Sequence, residues 1–147
     1  MDNKLQCGNY PLGSKMSNDQ FNLSPKINEA LQKNHYITPT PIQEAVIPLI
    51  LEGVDIMAKA QTGSGKTASF VLPILHQYGM KEQPKKGKIK VLVITPTREL
   101  TLQVAQTFTL FGKDLEPKPK IATIIGGQNI GDQLLDIQKG CHIVVAT

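Results

Sequence analysis

Residues 58–70 read AKAQTGSGKTASF, a stretch that ends like a phosphate-binding loop and begins unlike one. The strict pattern G-x-x-x-x-G-K-[ST] places glycine at position 60, where this chain has Ala60. The flanking sequence decides the matter. VDIMAKA, residues 54–60, reads as a buried strand, and residues 65–76 read as the helix that follows. A strand ending in a glycine-containing loop brings several backbone N–H groups to one point, and the next helix adds the positive end of its dipole. Gly63 and Gly65 permit the tight turn and the close approach of an anion. Lys66 supplies charge for the outer phosphates of a nucleoside triphosphate, and the Thr67 hydroxyl is a Mg²⁺ ligand. Ala60 removes conformational freedom at the start of the loop but no hydrogen-bond donor. A plain Gly/Ser turn followed by a solvated lysine leaves the strand, loop and helix order unexplained.

Outward from the loop, strand and helix alternate. KVLVITP (residues 90–96) is a strand, and residues 97–111 are a helix with Leu100, Val104, Phe108 and Phe111 on one stripe. IATIIGG (121–127), a helix over 129–138 and the strand HIVVAT (142–147) follow. Repeated βα units predict an α/β fold, an open parallel sheet with helices on both faces. Upstream, Ser24 and Pro25 open a helix whose Ile27, Ala30 and Leu31 share a face. Pro39 and Pro41 interrupt it, and a second helix over 43–51 is expected to be kinked or split at Pro48. Residues 1–20 are polar, carry Gly8, Pro11 and Gly13, and show no apolar period. They are expected to be disordered or an extension, leaving residues 21–147 as one domain.

Composition narrows the function classes. The chain has 147 residues, 40% of them hydrophobic, enough for one domain with a core. No apolar run is long enough to span a membrane and no leader pattern opens the chain, so the cytoplasm is expected. Cys7 and Cys141 are isolated, which argues against a zinc site or a disulfide framework. The net charge is +4. Lys81, Lys85, Lys86, Lys88 and Lys90 crowd one segment, and Lys118 and Lys120 flank Pro119; such clusters favour polyanions, although Pro84 and Gly87 mark the first as a loop. Arg98 is the only arginine among sixteen basic residues. Guanidinium matches phosphate geometry, and beside Thr97 at a helix start it has a phosphate-contact arrangement. The alternative for Arg98 is a surface ion pair with Glu99 or Asp132. Asp132 and Asp136 share a helix face and read as solvated.

YITPTPIQ, residues 36–43, offers a base reader. A Gln side chain pairs with the N6/N7 edge of adenine and not with the O6/N7 edge of guanine, so Gln43 can select ATP. Thr40 offers a hydroxyl that reaches back to the loop. Taken alone, a Gln after prolines is also an ordinary helix start.

HYITPTPIQ, then AQTGSGKT, then PTREL resemble, in order and spacing, the Q motif, motif I and motif Ia of the DEAD-box ATP-dependent RNA helicases. Motif I of that family begins with Ala, so Ala60 agrees with it. IGG (125–127) is similar to the family's glycine doublet, and VVAT (144–147) to the opening of its T-P-G-R motif. The resemblance covers about residues 20–147 and implies an incomplete RecA-like P-loop NTPase lobe. It implies that Tyr36, Thr40 and Gln43 hold adenine, and that Ala60, Gln61, Thr62, Gly63, Ser64, Gly65, Lys66 and Thr67 hold the phosphates. Lys66 and Thr67 would be catalytic, with Thr67 on Mg²⁺. Pro96, Thr97, Arg98, Gly126 and Gly127 would line an RNA backbone, which makes recognition independent of sequence.

The chain departs from that family's pattern in places. His35 stands where a Gly usually precedes the aromatic, and Asn18 stands where an aromatic stacks on adenine; Phe21 or Tyr10 remain for that role. The Asp-Glu-Ala-Asp motif, the S-A-T motif and the second lobe with its arginine finger are not in these residues. The expectation is a partial first lobe that binds nucleotide without hydrolysing it, with HIVVAT as an exposed sheet edge. A module that binds ATP and RNA without catalysis is the alternative. A P-loop enzyme acting on DNA or a small molecule would leave PTPIQ and PTREL without a role.

Overall fold

A computed structural model of the protein describes residues 21–80 and 88–147. The order is α1 (Pro25–Lys33), α2 (Pro41–Leu51), α3 (Lys66–Met80), β1 (Val91–Ile94), α4 (Arg98–Gly112), β2 (Ile121–Ile124), α5 (Ile130–Gln138) and β3 (Ile143–Ala146). The strands form a parallel sheet in the order β1-β3-β2, with Ile143 opposite both Val91 and Ile121. The last strand therefore lies in the middle, which corrects the expectation that HIVVAT is an edge. Ile143, Val144 and Val145 are at most 5% exposed. A run that is apolar on both faces belongs where both faces are covered.

Side chains alternate across the sheet and build two unequal layers. Ile143 and Val145 point to the side of α1, α2, α3 and α4, where Ile27, Leu31, Ile47, Val71, Leu72, Leu75, Phe108 and Phe111 complete the main core. Removing either buried phenylalanine ring would cost ~3–5 kcal/mol. Val144 and Ala122 point the other way, against Ile137 of α5 and Cys141. Burial pushes the Cys141 thiol pKa up, in keeping with an inert core cysteine. On this second face Leu92 and Ile94 of β1 remain 62% and 74% exposed, since the α5 layer lies over β2 and β3. Gly112 ends α4 where a Cβ would meet Pro119 at 2.8 Å and Leu75 at 3.2 Å. Only glycine lets the segment carrying Pro119 pack so close there.

The segment 54–60 does not join the sheet. Val54 is 50% and Met57 94% exposed, and no described strand pairs with it. A strand exists by its ladder, and apolar content alone does not make one. The second helix begins at Pro41 and runs as one element through Pro48, so it is not split. Ser24 stands at the α1 N-cap, but its hydroxyl bonds nothing; its carbonyl accepts from Ile27 and Asn28. The charge cluster at Lys81, Lys85 and Lys86 lies outside the described residues, as do residues 1–20.

Two histidines tie the layers together through unprotonated nitrogens. His76 Nδ1 accepts from the Ser24 N–H at 3.0 Å, and His142 Nδ1 accepts from the Lys120 N–H at 3.0 Å, with the Tyr78 hydroxyl 3.3 Å from the same atom. Burial lowers the His76 pKa; burial and then the Lys120 charge lower that of His142. Both stay below their ordinary value of 6.5 in the folded state, so the unfolded chain takes up protons first as pH falls. Their contribution is complete above about pH 6.5 and is lost as pH falls through the folded values. Thermal melts between pH 7.5 and pH 5 are expected to show a falling midpoint, and a His76→Gln/His142→Gln variant a flatter profile; equal slopes would show that neither contact matters.

Candidate functional site

The loop 61–65 leads directly into α3, with Gly63 and Gly65 at φ of 78° and 87°, where side chains other than hydrogen are strained. Lys66 folds back into it. Its ammonium donates to the Gln61 carbonyl at 2.6 Å and also to the Ala60 carbonyl. A positive charge is thus held at the loop by the loop's own oxygens. Gln61, Thr62 and Gly63 are exposed, and Ser64 through Thr67 are half-buried.

Gln43 reaches the loop from α2. It is 4% exposed, its Nε2 donates to the Gly65 carbonyl at 3.2 Å, and its Oε1 accepts from the Thr40 N–H at 3.0 Å. A Cβ on Gly65 would stand 2.5 Å from that Nε2 and 3.0 Å from Thr40 Oγ1. Thr40, Gln43 and Gly65 are therefore one packed unit. Both ends of the Gln43 amide are already in use within the protein. One Nε2 hydrogen and one further Oε1 lone pair remain for a base. Ser64 Oγ is buried with no hydrogen-bond partner among the described residues, while Thr40 closes a capping box with Gln43 at the start of α2. An unspent hydroxyl beside a lysine and a positive-φ loop suits a polyphosphate, so the residues fit a nucleotide.

For Mg²⁺ the fit is narrower. Thr67 offers one hydroxyl, and no group of three or more His, Cys, Asp or Glu among the described residues could hold a metal. Thr67 suits a cation only together with nucleotide oxygens. The Tyr36 and Phe111 rings meet in a T-shaped contact, centroids 5.3 Å apart and planes at 89°, which anchors the Tyr36 segment to the end of α4. Phe21 is 7% exposed and belongs to the core, which removes it as a ring for stacking on adenine. Asn18 and Tyr10 lie outside the described residues.

A second exposed group forms where the chain leaves β1 and β2. Pro96, Thr97, Arg98, Gly126 and Gly127 are all exposed. Thr97 caps α4, its hydroxyl accepting from the Leu100 N–H at 3.2 Å. Arg98 pairs with neither Glu99 nor Asp132 among the described residues. Its guanidinium lies on Gly127, where a Cβ would come within 2.7 Å of Nη2 and 2.9 Å of Nη1. Gly127 also has φ of 83°, so space and backbone both require glycine. Sequence reasoning missed Thr95 and Thr101, whose buried hydroxyls meet at 2.6 Å. Thr101 donates to the Thr97 carbonyl and so braces the turn that carries Arg98. A threonine on an apolar helix face was the available signal.

A family model described as DEAD/DEAH box helicase matches residues 40–147. The chain belongs to this family. It is 43% identical over 128 residues to the ATP-dependent rRNA helicase RRP3 of Meyerozyma guilliermondii, covering 87% of this chain and 26% of that protein. It is 44% identical over 132 residues to the ATP-dependent RNA helicase DBP8 of Debaryomyces hansenii, covering 90% of this chain and 29% of that one. Among solved structures it resembles a DEAD box protein from the hyperthermophile Methanococcus jannaschii, with a TM-score of 0.79 at 38% identity. That match covers 90% of this chain and 34% of the other. The chain thus spans 26% and 29% of the length of the two curated relatives. The open parallel sheet with helices on both faces is the RecA-like lobe of these helicases, incomplete here.

The two loop glycines separate strain from contact. Gly63 has nothing within 4 Å of a Cβ, whereas Gly65 meets Gln43. Gly63→Ala is expected to cost ~1–2 kcal/mol from positive φ alone, and Gly65→Ala a further ~1–3 kcal/mol as the Gln43 bonds break. Urea unfolding of both variants measures the difference, and equal losses would show that the Gln43 contact adds nothing.

Proposed function

We propose that this chain is the nucleotide-binding part of the first lobe of an ATP-dependent RNA helicase. It binds adenine nucleotides with Mg²⁺ at the loop 60–67 and meets RNA through Pro96, Thr97, Arg98, Gly126 and Gly127. The observation that carries this is the Gln43 bridge between the Thr40 N–H and the Gly65 carbonyl, which joins the base reader to the phosphate loop. Membership of the helicase family supports it.

The chain's own residues divide the work. Lys66 exchanges the Gln61 and Ala60 carbonyls for phosphate oxygens, a stronger, charge-assisted contact. Thr40 and Ser64 would offer their hydroxyls to the nucleotide, and Thr67 would hold the cation together with nucleotide oxygens. Gln43 reads the adenine edge with what its amide has left. The bound nucleotide supplies the energy of phosphoryl transfer to the longer protein. On the RNA side, exposed backbone and one guanidinium suit sugar and phosphate and no particular base.

Because no carboxylate cluster lies among the described residues, the 147-residue chain is expected to bind nucleotide without turnover. That same observation favours, as a second reading, a module that binds ATP and RNA and never hydrolyses. Isothermal titration with ADP and with GDP, each with Mg²⁺, tests the site. ADP binding with at least about tenfold preference over GDP is expected, about 1.4 kcal/mol, lost in Gln43→Ala and with all binding lost in Lys66→Ala. Equal affinity for both nucleotides would remove the role assigned to Gln43. Absence of binding would defeat the proposal for this chain.

A further inference from the structure

Gln133, a residue of α5 outside every motif discussed so far, is 6% exposed and makes its contacts with a single turn. Its Oε1 accepts from the Ile125 N–H at 2.8 Å and its Nε2 donates to the Ile125 carbonyl at 3.1 Å. The same Nε2 lies 3.5 Å from the carbonyls of Gln128 and Asn129. One side-chain amide therefore grips both arms of the turn 125–129, with Gly126 and Gly127 between them.

The strand geometry explains why the grip is needed. Ile143 donates to the Lys120 carbonyl and Thr147 to the Ile124 carbonyl, so even-numbered residues of β2 face β3 and odd-numbered ones face away. Ile125 follows β2 and directs its peptide groups to the side where no strand lies among the described residues. The Gln133 amide takes the place of a neighbouring strand for one residue. Beyond it come two glycines, the residues with the most backbone freedom. No backbone carbonyl among the described residues takes the N–H of Gly126 or Gly127, and both are exposed. The Arg98 guanidinium rests on Gly127. Fixing this turn fixes two N–H donors and the platform of the only guanidinium.

We infer that Gln133 is a positioning residue for RNA binding: its buried amide holds the Gly126–Gly127 turn in the form that offers N–H groups, with Arg98, to one RNA phosphate. This rests on the function proposed above. Gln133 touches no RNA itself and has no part in the nucleotide loop.

The test uses the 147-residue chain, an end-labelled oligouridine read by fluorescence anisotropy, and ADP titrated on the same samples. Gln133→Met keeps the length and removes the hydrogen bonds. The expected result is RNA affinity weakened at least about fivefold, near 1 kcal/mol, ADP affinity unchanged, and faster hydrogen exchange at the Ile125 amide. RNA affinity unchanged while Ile125 exchanges faster would overturn the inference and leave the proposed function standing. RNA and ADP affinity falling together would also overturn it, because the residue would then be acting on the fold as a whole. Failure of the unaltered chain to bind RNA would overturn the RNA part of the proposed function and the inference with it. Should Gln133→Met not fold, Gln133→Asn, polar but one methylene too short to grip both arms, is read by the same criteria.

Discussion

The central position of β3 is the constraint from which the rest follows. It bonds β1 on one side and β2 on the other, with Ala146 opposite both Ile94 and Ile124. All three strands run in one direction, so the turns that leave β1 and β2 emerge at the same end of the sheet. They stand two strand spacings apart, about 9–10 Å, a gap that a long side chain can bridge. Arg98, at the start of α4, does so and lands on Gly127. The exposed group at this end is thus a product of parallel pairing: stretches separated by almost thirty positions in sequence (98 and 127) meet because one strand lies between them. Ligands of open α/β sheets gather at the carboxyl ends of strands for the same reason.

How far this was legible in the sequence depends on which interactions set each element. Helices α3, α4 and α5 and strands β1, β2 and β3 were read from period and punctuation, because local pattern and tertiary burial agree there. Helix α2 starts at Pro41, ahead of the expected Gln43, because a proline fits the first turn of a helix, and it is not split at Pro48, where packing offsets the interior cost: Ile47, next to Pro48, is wholly buried. Residues 54–60 were misread because an apolar run reports what a segment is suited for, and a strand additionally needs a partner. The placement of HIVVAT could not be read at all. Strand order is decided by long-range pairing, although its two-faced apolar character was a sign of a central place.

The candidate site was legible where backbone conformation dictates residue type. Gly63, Gly65 and Gly127 announce positive φ, and their positions in the chain suffice. It was illegible where one side chain serves two masters. Gln43 joins the Thr40 N–H to the Gly65 carbonyl and Gln133 grips both arms of the turn 125–129, and nothing about a glutamine in a helix reveals this. Phe21 was an attractive partner for adenine only while its burial was unknown. A phenylalanine has no polar end to keep outside, so the core claimed it.

The nucleotide cradle also carries a tension that bears on how it works. The Ser64 hydroxyl has no partner among the described residues and is free for a ligand, whereas Thr40 sits in a capping box with Gln43. Lys66 already gives two of its three donors to loop carbonyls, and the Gln43 amide keeps one hydrogen and one lone pair unspent. A nucleotide at the loop would therefore gain most where nothing has to be broken, and at Lys66 only the difference between two sets of bonds. Base selection by Gln43 would be the smaller term, because only half of its amide is left for a base. Under the proposed function, affinity would then be set by the phosphate end and selectivity by a remainder, the free half of one buried glutamine amide.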